Sequence, residues 1–371
     1  MRSFRVGVVG IVTFAAGTVL AESRDSKFLL KQAESELTAG RAAEASRYLR
    51  DFVNSLPREA QAKLLIEQAS GIAERLYALD TGNTQFTFQL AELYFLGRRY
   101  QDSLETLTRI GPQRADADYF NLAGMNYAAM GDLAVASRAV LKAIDMAPDR
   151  ADLLVNLAGL YQRAKNNQDA LRVLQKAVAM PSAQPQTFFA LALTYYNLGN
   201  HSQAAENCAR AIEANPDFDR AYLLMGRAYA AMGKAEPARK ALRKGLALNP
   251  LCDVCRFELA LLAGSNQEAE KLFRSTLAIN PKHADAHFRL GKLLAEESRD
   301  EEAKAELRAA IAQAPDQDAA YYQLAILYKK DGDSSKAQKL FDTLRQRKEQ
   351  RRISAEANLE SPASPATQRA K

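Results

Sequence analysis

The chain has 371 residues, 47% of them apolar and 25% charged, with no tryptophan and 50 basic against 44 acidic side chains, a formal net charge of +6 at pH 7. That apolar content, with both charge signs interspersed, excludes a chain disordered throughout, and three cysteines are too few for a disulfide-stapled scaffold. The small positive excess predicts no nucleic-acid partner.

The first segment, MRSFRVGVVGIVTFAAGTVLAES, places Arg2 and Arg5 ahead of an uncharged run from Val6 to Ala21 that ends in Val19-Leu20-Ala21. Basic start, apolar middle and small residues at the cleavage positions predict a signal peptide over 1–21 and a periplasmic or secreted protein. The alternative is an N-terminal anchor facing the periplasm. Sixteen residues, however, span about 24 Å as a helix, short of a hydrocarbon core of about 30 Å. Removing 1–21 removes two arginines and leaves 48 basic against 44 acidic residues, a charge of +4.

Residues 22–83 read as divergent helices. FLLKQAESELTAGRAAEASRYLRDFVNSLP closes at Pro57, and 58–82 form an extra or elongated helix that breaks the register of the later repeats. From residue 84 to 350 the chain repeats itself about eight times. Ala136, Ala170, Ala204 and Ala238 are 34 residues apart, and the series continues through Ala269, Ala303 and Ala337 with one three-residue shortening. Tyr127, Tyr161, Tyr195 and Tyr229 keep the same step, each preceded by Gly124, Ala158, Ala192 or Gly226 three residues earlier. One copy, Asp219 to Pro250, shows the unit. Tyr222, Met225, Gly226 and Tyr229 share a helical face, Gly233 suits a left-handed helix end, and Pro237 sits in the first turn of the next helix. Ala238, Leu242 and Gly245 then form the facing stripe. A single helix pair cannot bury its apolar face, so such units must stack.

This pattern resembles the tetratricopeptide repeat family, as Phe188, Leu191, Ala192, Tyr195, Ala204, Ala211 and Pro216 illustrate for one copy. The resemblance implies an all-α, right-handed superhelical solenoid of antiparallel helix pairs, whose first helices line a concave groove for an extended peptide or partner helix. Through the repeat register, the candidate groove residues are Phe88, Phe95, Asn156, Arg163, Phe189, Tyr196, Arg227, Phe257, Arg289, Lys292 and Tyr322. Aromatic anchors beside cations suit an acidic protein partner. Two devices of the family are missing. Asn121, Met125, Gln186 and Ala190 replace most of the carboxylate clamp of chaperone-binding members, and Ala190, Leu224, Glu258, Arg289 and Gln323 interrupt the asparagine ladder of the glycosyltransferase relatives.

Cys252 and Cys255 open the first helix of the shortened repeat. A local disulfide, unpaired thiols and a zinc site with His283 and His287 all remain open readings of that spacing. Cys208 occupies a core position and reads as a small buried hydrophobe. Arg345 to Arg352 are read as a solvated last helix, and 351–371, rich in serine, proline and alanine, as a disordered tail.

The chain has no glycine-rich phosphate loop, no G-x-S-x-G and no H-E-x-x-H, and it contains three histidines. The sequence therefore predicts a non-enzymatic envelope scaffold with protein partners and no cofactor, small-molecule substrate or membrane contact except by association. The alternative is a redox or metal-dependent module built on Cys252 and Cys255.

Overall fold

The computed structural model describes residues 24–56, 62–111 and 113–360. Its described residues form helices and turns: α1 (Arg24–Thr38), α2 (Ala42–Ser55), α3 (Ala62–Leu79), α4 (Thr84–Leu96), α5 (Tyr100–Thr108), α6 (Ala117–Met130), α7 (Leu133–Met146), α8 (Ala151–Arg163), α9 (Asn167–Val178), α10 (Pro185–Asn197), α11 (His201–Ala214), α12 (Asp219–Ala231), α13 (Ala235–Leu248), α14 (Asp253–Leu261), α15 (Asn266–Ile279), α16 (Ala284–Glu296), α17 (Asp300–Gln313), α18 (Asp318–Lys330) and α19 (Ser334–Glu360). The expected signal peptide lies outside the described residues. The chain divides into two compact units, Met1–Cys255 and Arg256–Lys371.

Within the first unit, α4 to α13 form antiparallel pairs, each first helix packed on its own second helix and on the pair next in the chain. Small residues set the close approach. Ala136, Ala170, Ala204 and Ala238 are fully buried, and a Cβ added at Gly226 would meet Leu242 Cγ at 2.6 Å. The 18-residue α3 is the extra helix that breaks the register. Its Leu65, Ala69, Ile72 and Leu76 join Leu49 and Phe52 of α2 and Leu90 and Leu93 of α4 in one core. Polar ties link successive pairs: Arg150 donates to Asp118 Oδ1 and to Asp152 Oδ2, both at 2.6 Å.

In the second unit, α15 to α19 repeat the arrangement around Phe273, Leu290, Leu294, Leu307 and Leu324. The last helix corrects one expectation. It runs to Glu360 rather than ending near 350, because 351–360 contain neither glycine nor proline and the first breaker is Pro362.

The turns inside the α4–α5, α6–α7, α8–α9, α10–α11, α12–α13, α16–α17 and α18–α19 pairs each place one residue in the left-handed region, at the same repeat position. Glycine fills it at Gly131, Gly199, Gly233 and Gly332, but Arg98, Lys165 and Ser298 take it with φ of 62°, 59° and 61°. A side chain there costs roughly 1–2 kcal/mol, against which glycine adds entropy to the unfolded chain. Lys165→Gly is therefore expected to raise stability by about 0.5–1 kcal/mol, measured by urea unfolding.

Candidate functional site

The first helices present the surfaces the repeat register singles out. In the first unit, the best-defined stretch lies on α10 and α12. Gln184 and Thr187 cap the start of α10 reciprocally with Pro185 in its first turn, so the helix begins at a fixed point. Phe189, Leu193 and Tyr196 then come at four- and three-residue steps and share one face. Each ring is met by an arginine of α12 31 residues later: the Arg220 guanidinium lies 5.0 Å from the Phe189 ring centre, and that of Arg227 lies 5.5 Å from Tyr196. Phe218 packs its ring 5.1 Å from Phe189, and the His201 ring lies 5.1 Å from that of Tyr196. Phe189, Tyr196, Arg220 and Arg227 are all half-buried. Arg163, at the end of α8, is exposed.

Two residues expected in the groove are closed off. Phe95 is 6% exposed, held among Leu107, Leu122 and Met125 with the Tyr100 ring at 5.8 Å. Asn156 is 1% exposed, and its Nδ2 donates to Asn121 Oδ1 at 2.9 Å across α8 and α6. Both are internal joints between neighbouring pairs, so they leave the candidate surface. Phe88 is half-buried against the same core as Phe95.

In the second unit, Arg289, Lys292 and Tyr322 are exposed on α16 and α18, and Lys292 pairs with Glu296 at 3.7 Å. Tyr322 is 51% exposed and Ile326, one turn on, is 39% exposed. Phe257 is half-buried and stacks its ring 4.6 Å from His283.

Cys252 and Cys255 are joined to one another as a disulfide. The Cys252 sulfur also accepts the Cys255 backbone N–H at 3.0 Å, which caps the start of α14. The bond removes both thiolates that zinc would need, and the histidines are engaged elsewhere. His283 Nδ1 accepts the Ala286 N–H at 3.2 Å, and His287 Nδ1 lies 2.6 Å from Glu306 Oε2, whose carboxylate raises the imidazole above its ordinary pKa. The zinc set of two thiolates and two imidazoles is thus not formed. Cys208 is fully buried, and burial pushes its thiol up to about 12.

Reasoning from the sequence missed Arg220, Leu193 and Glu92. The signal for Arg220 was its step of 31 residues from Phe189. Glu92 faces inward on α4, and burial raises its carboxyl to about 7 from an ordinary 4.5, with Asp118 adding to the rise and Arg50 opposing it. Between those two values the native state holds a proton that the unfolded chain has lost. Stability therefore falls as pH rises through that window and is level above it. Glu92→Gln, which never ionises, is expected to gain about 3 kcal/mol on the unsubstituted protein between pH 4 and pH 8, read from urea unfolding at both pH values.

Comparison with known proteins picks out the same repeats. Models of the tetratricopeptide repeat match residues 121–185, 196–253, 260–323 and 301–359, together more than half of the chain. The human protein O-mannosyl-transferase TMTC3 is 24% identical over 260 residues, covering 55% of this chain and 28% of that protein. The TPR repeat-containing protein YpiA of Bacillus subtilis (strain 168) is 23% identical over 269 residues, covering 67% of this chain and 62% of its own length. A chain of the solved APC/C hetero-tetramer Cut9-Hcn1 superposes with a TM-score of 0.56 at 15% identity, covering 81% of this chain and 62% of that one. This chain thus spans less than two thirds of each of these relatives, and the structural likeness at such identity is a likeness of fold.

Proposed function

The chain belongs to the tetratricopeptide repeat family, and on that premise we propose that it is a non-enzymatic scaffold of the bacterial cell envelope that holds a partner peptide or helix on the faces of its first helices. The family and its fold support a protein-interaction scaffold. The observation that carries the finer reading is the Phe189–Arg220 and Tyr196–Arg227 arrangement, which sets half-buried aromatics and cations on one face. Such combinations supply desolvated anchors and steer acidic partners. Arg163, Arg289, Lys292 and Tyr322 are the exposed members of the same register.

Export is proposed from the first 21 residues, and the Cys252–Cys255 disulfide accords with an oxidising compartment. In this reading the disulfide caps a helix and does not carry electrons. Two experiments test the proposal. Fractionation of a C-terminally tagged chain should recover it from the periplasm with residue 22 as its first; recovery in the membrane with 1–21 attached would instead support the anchored alternative. Affinity capture from an envelope extract should retain a partner that Arg227→Glu/Arg289→Glu loses while remaining folded. Equal capture by both proteins would rule out the first-helix faces as the binding surface.

A further inference from the structure

We infer that the outer faces of α7, α9, α11 and α13 in the first unit form a docking surface for an anionic phospholipid bilayer, independent of what the first helices hold. Two and six residues beyond its buried alanine, each second helix carries an exposed pair: Arg138 and Lys142 on α7, Arg172 and Lys176 on α9, Lys240 and Lys244 on α13. On α11 the same positions hold Glu206 and Arg210. Residues four apart share a helical face, and the 34-residue step repeats that face from pair to pair. Each second helix packs on its own first helix, and α7, α9 and α11 also pack on the first helix of the next pair, so the side opposite both stays open.

The charge on this side is not cancelled by its surroundings. The four second helices carry nine basic and five acidic residues. Their partners α6, α8, α10 and α12 carry three of each, and so do the turns that join the eight helices. Of the five acids, Asp169 pairs with Arg172 and Glu236 with Arg239, Glu206 and Glu213 flank Arg210, and Asp145 stands one turn from Lys142. Among the described residues, the side chains of Arg138, Lys142, Lys176, Lys240 and Lys244 make no ion pair or hydrogen bond. The second unit has the contrary arrangement on its second helices. There α15 sets Glu268 and Glu270 against Lys271 and Arg274, and α17 sets four acids against Lys304 and Arg308. Glu270 holds Arg274 at 2.8 Å, and Glu301 holds Lys304 at 2.6 Å.

Side-chain type selects lipid over protein. The four second helices contain no Phe, Tyr or Trp, and lysine is depleted from protein interfaces, where aromatic anchors carry much of the affinity. Lysine is a point charge on a flexible stem, which suits headgroups that move to meet it. Leu141 and Met146, 42% and 46% exposed, flank Arg138 and Lys142 on α7 and supply the apolar contact that an interfacial surface adds to its cations. Each Lys or Arg at an anionic surface strengthens adhesion about fivefold, so contacts that are singly weak accumulate.

The test is co-sedimentation of the full chain with vesicles of phosphatidylglycerol and phosphatidylethanolamine in equal amounts, and with phosphatidylcholine vesicles. The readout is the ratio of the two affinities, to which residues 1–21 contribute equally in every variant. The unsubstituted protein is expected to favour the anionic vesicles at least tenfold, and added salt should shrink that preference. Arg138→Gln/Lys142→Gln/Lys240→Gln/Lys244→Gln should lower the ratio at least tenfold. Lys271→Gln/Lys282→Gln/Lys339→Gln/Lys348→Gln, which removes the same charge from exposed lysines of the second unit, should leave it within about twofold. Leu141→Ser/Met146→Ser keeps the charge and should weaken binding to anionic vesicles about threefold. Unchanged melting curves show that all three variants remain folded. Equal losses from the two charge sets, indifference to the first-unit set or to the apolar pair, or no preference for anionic vesicles would overturn the lipid surface. Binding of soluble polyglutamate in place of vesicles, lost with the first-unit set, would also overturn it and give the face to an acidic protein. Envelope capture by the first-unit set should match that of the unsubstituted protein, so this surface and the first-helix scaffold fail separately.

Discussion

Gly226→Val is expected to destabilise the α12–α13 pair by about 3 kcal/mol or more, the upper range for overpacking a filled core. A Cβ alone at this position would lie 2.6 Å from Leu242 Cγ, 2.8 Å from its Cδ2 and 3.3 Å from the Ala238 carbonyl oxygen. Leu242 has no exposed surface and the carbonyl is part of a helix, so neither can yield. Valine then adds two methyl groups to a contact already too short, and its β-branch is stiff in a helix. Gly159 provides the control, since a Cβ there would meet nothing within 4 Å. Gly159→Ala should gain up to about 1 kcal/mol from helix propensity alone. Urea unfolding followed by circular dichroism measures both, and equal stability of Gly226→Val and the unsubstituted protein would show that the helices are not in that close contact.

The second large effect concerns the helix that breaks the repeat. Leu76 of α3 has no exposed surface and shares a core with Phe52 of α2 and Leu93 of α4. Leu76→Ala removes three methylene-sized groups from a site closed on every side, which costs about 2–5 kcal/mol. The loss should appear first as faster amide hydrogen exchange in α1 to α4, because stacked pairs transmit stability to their neighbours. Unchanged exchange there would mean that α3 is an attachment and not a structural part of the stack.

The repeat was legible because its contacts recur. The small residue on a first helix lies against the alanine of its own second helix, as Gly124, Gly226 and Gly291 do against Ala136, Ala238 and Ala303, so the repeat spacing records the contact without reference to any other copy. The left-handed turn was legible at Gly233 for the same local reason, but not at Arg98, Lys165 or Ser298, where the turn geometry prevails over residue preference. The groove was less legible. Repeat position places Phe95 and Asn156 on first helices, yet how far neighbouring pairs close over them depends on side chains from other copies, Met125 and Asn121 among them. Arg220 escaped notice because its role comes from a ring one repeat earlier. The end of α19 was hidden because apolar periodicity fades near 350, although helix-forming residues continue to Glu360.

Binding on the first-helix faces is best tested by site-specific photocrosslinking in envelope extract, with benzoylphenylalanine placed at Leu193 or Ile326 on first helices and at Lys142 or Lys240 on second helices. Crosslinks to a protein partner are expected from Leu193, Ile326 or both, and none from Lys142 or Lys240. Crosslinks confined to Lys142 and Lys240 would contradict the scaffold as proposed and move binding to the second-helix surface.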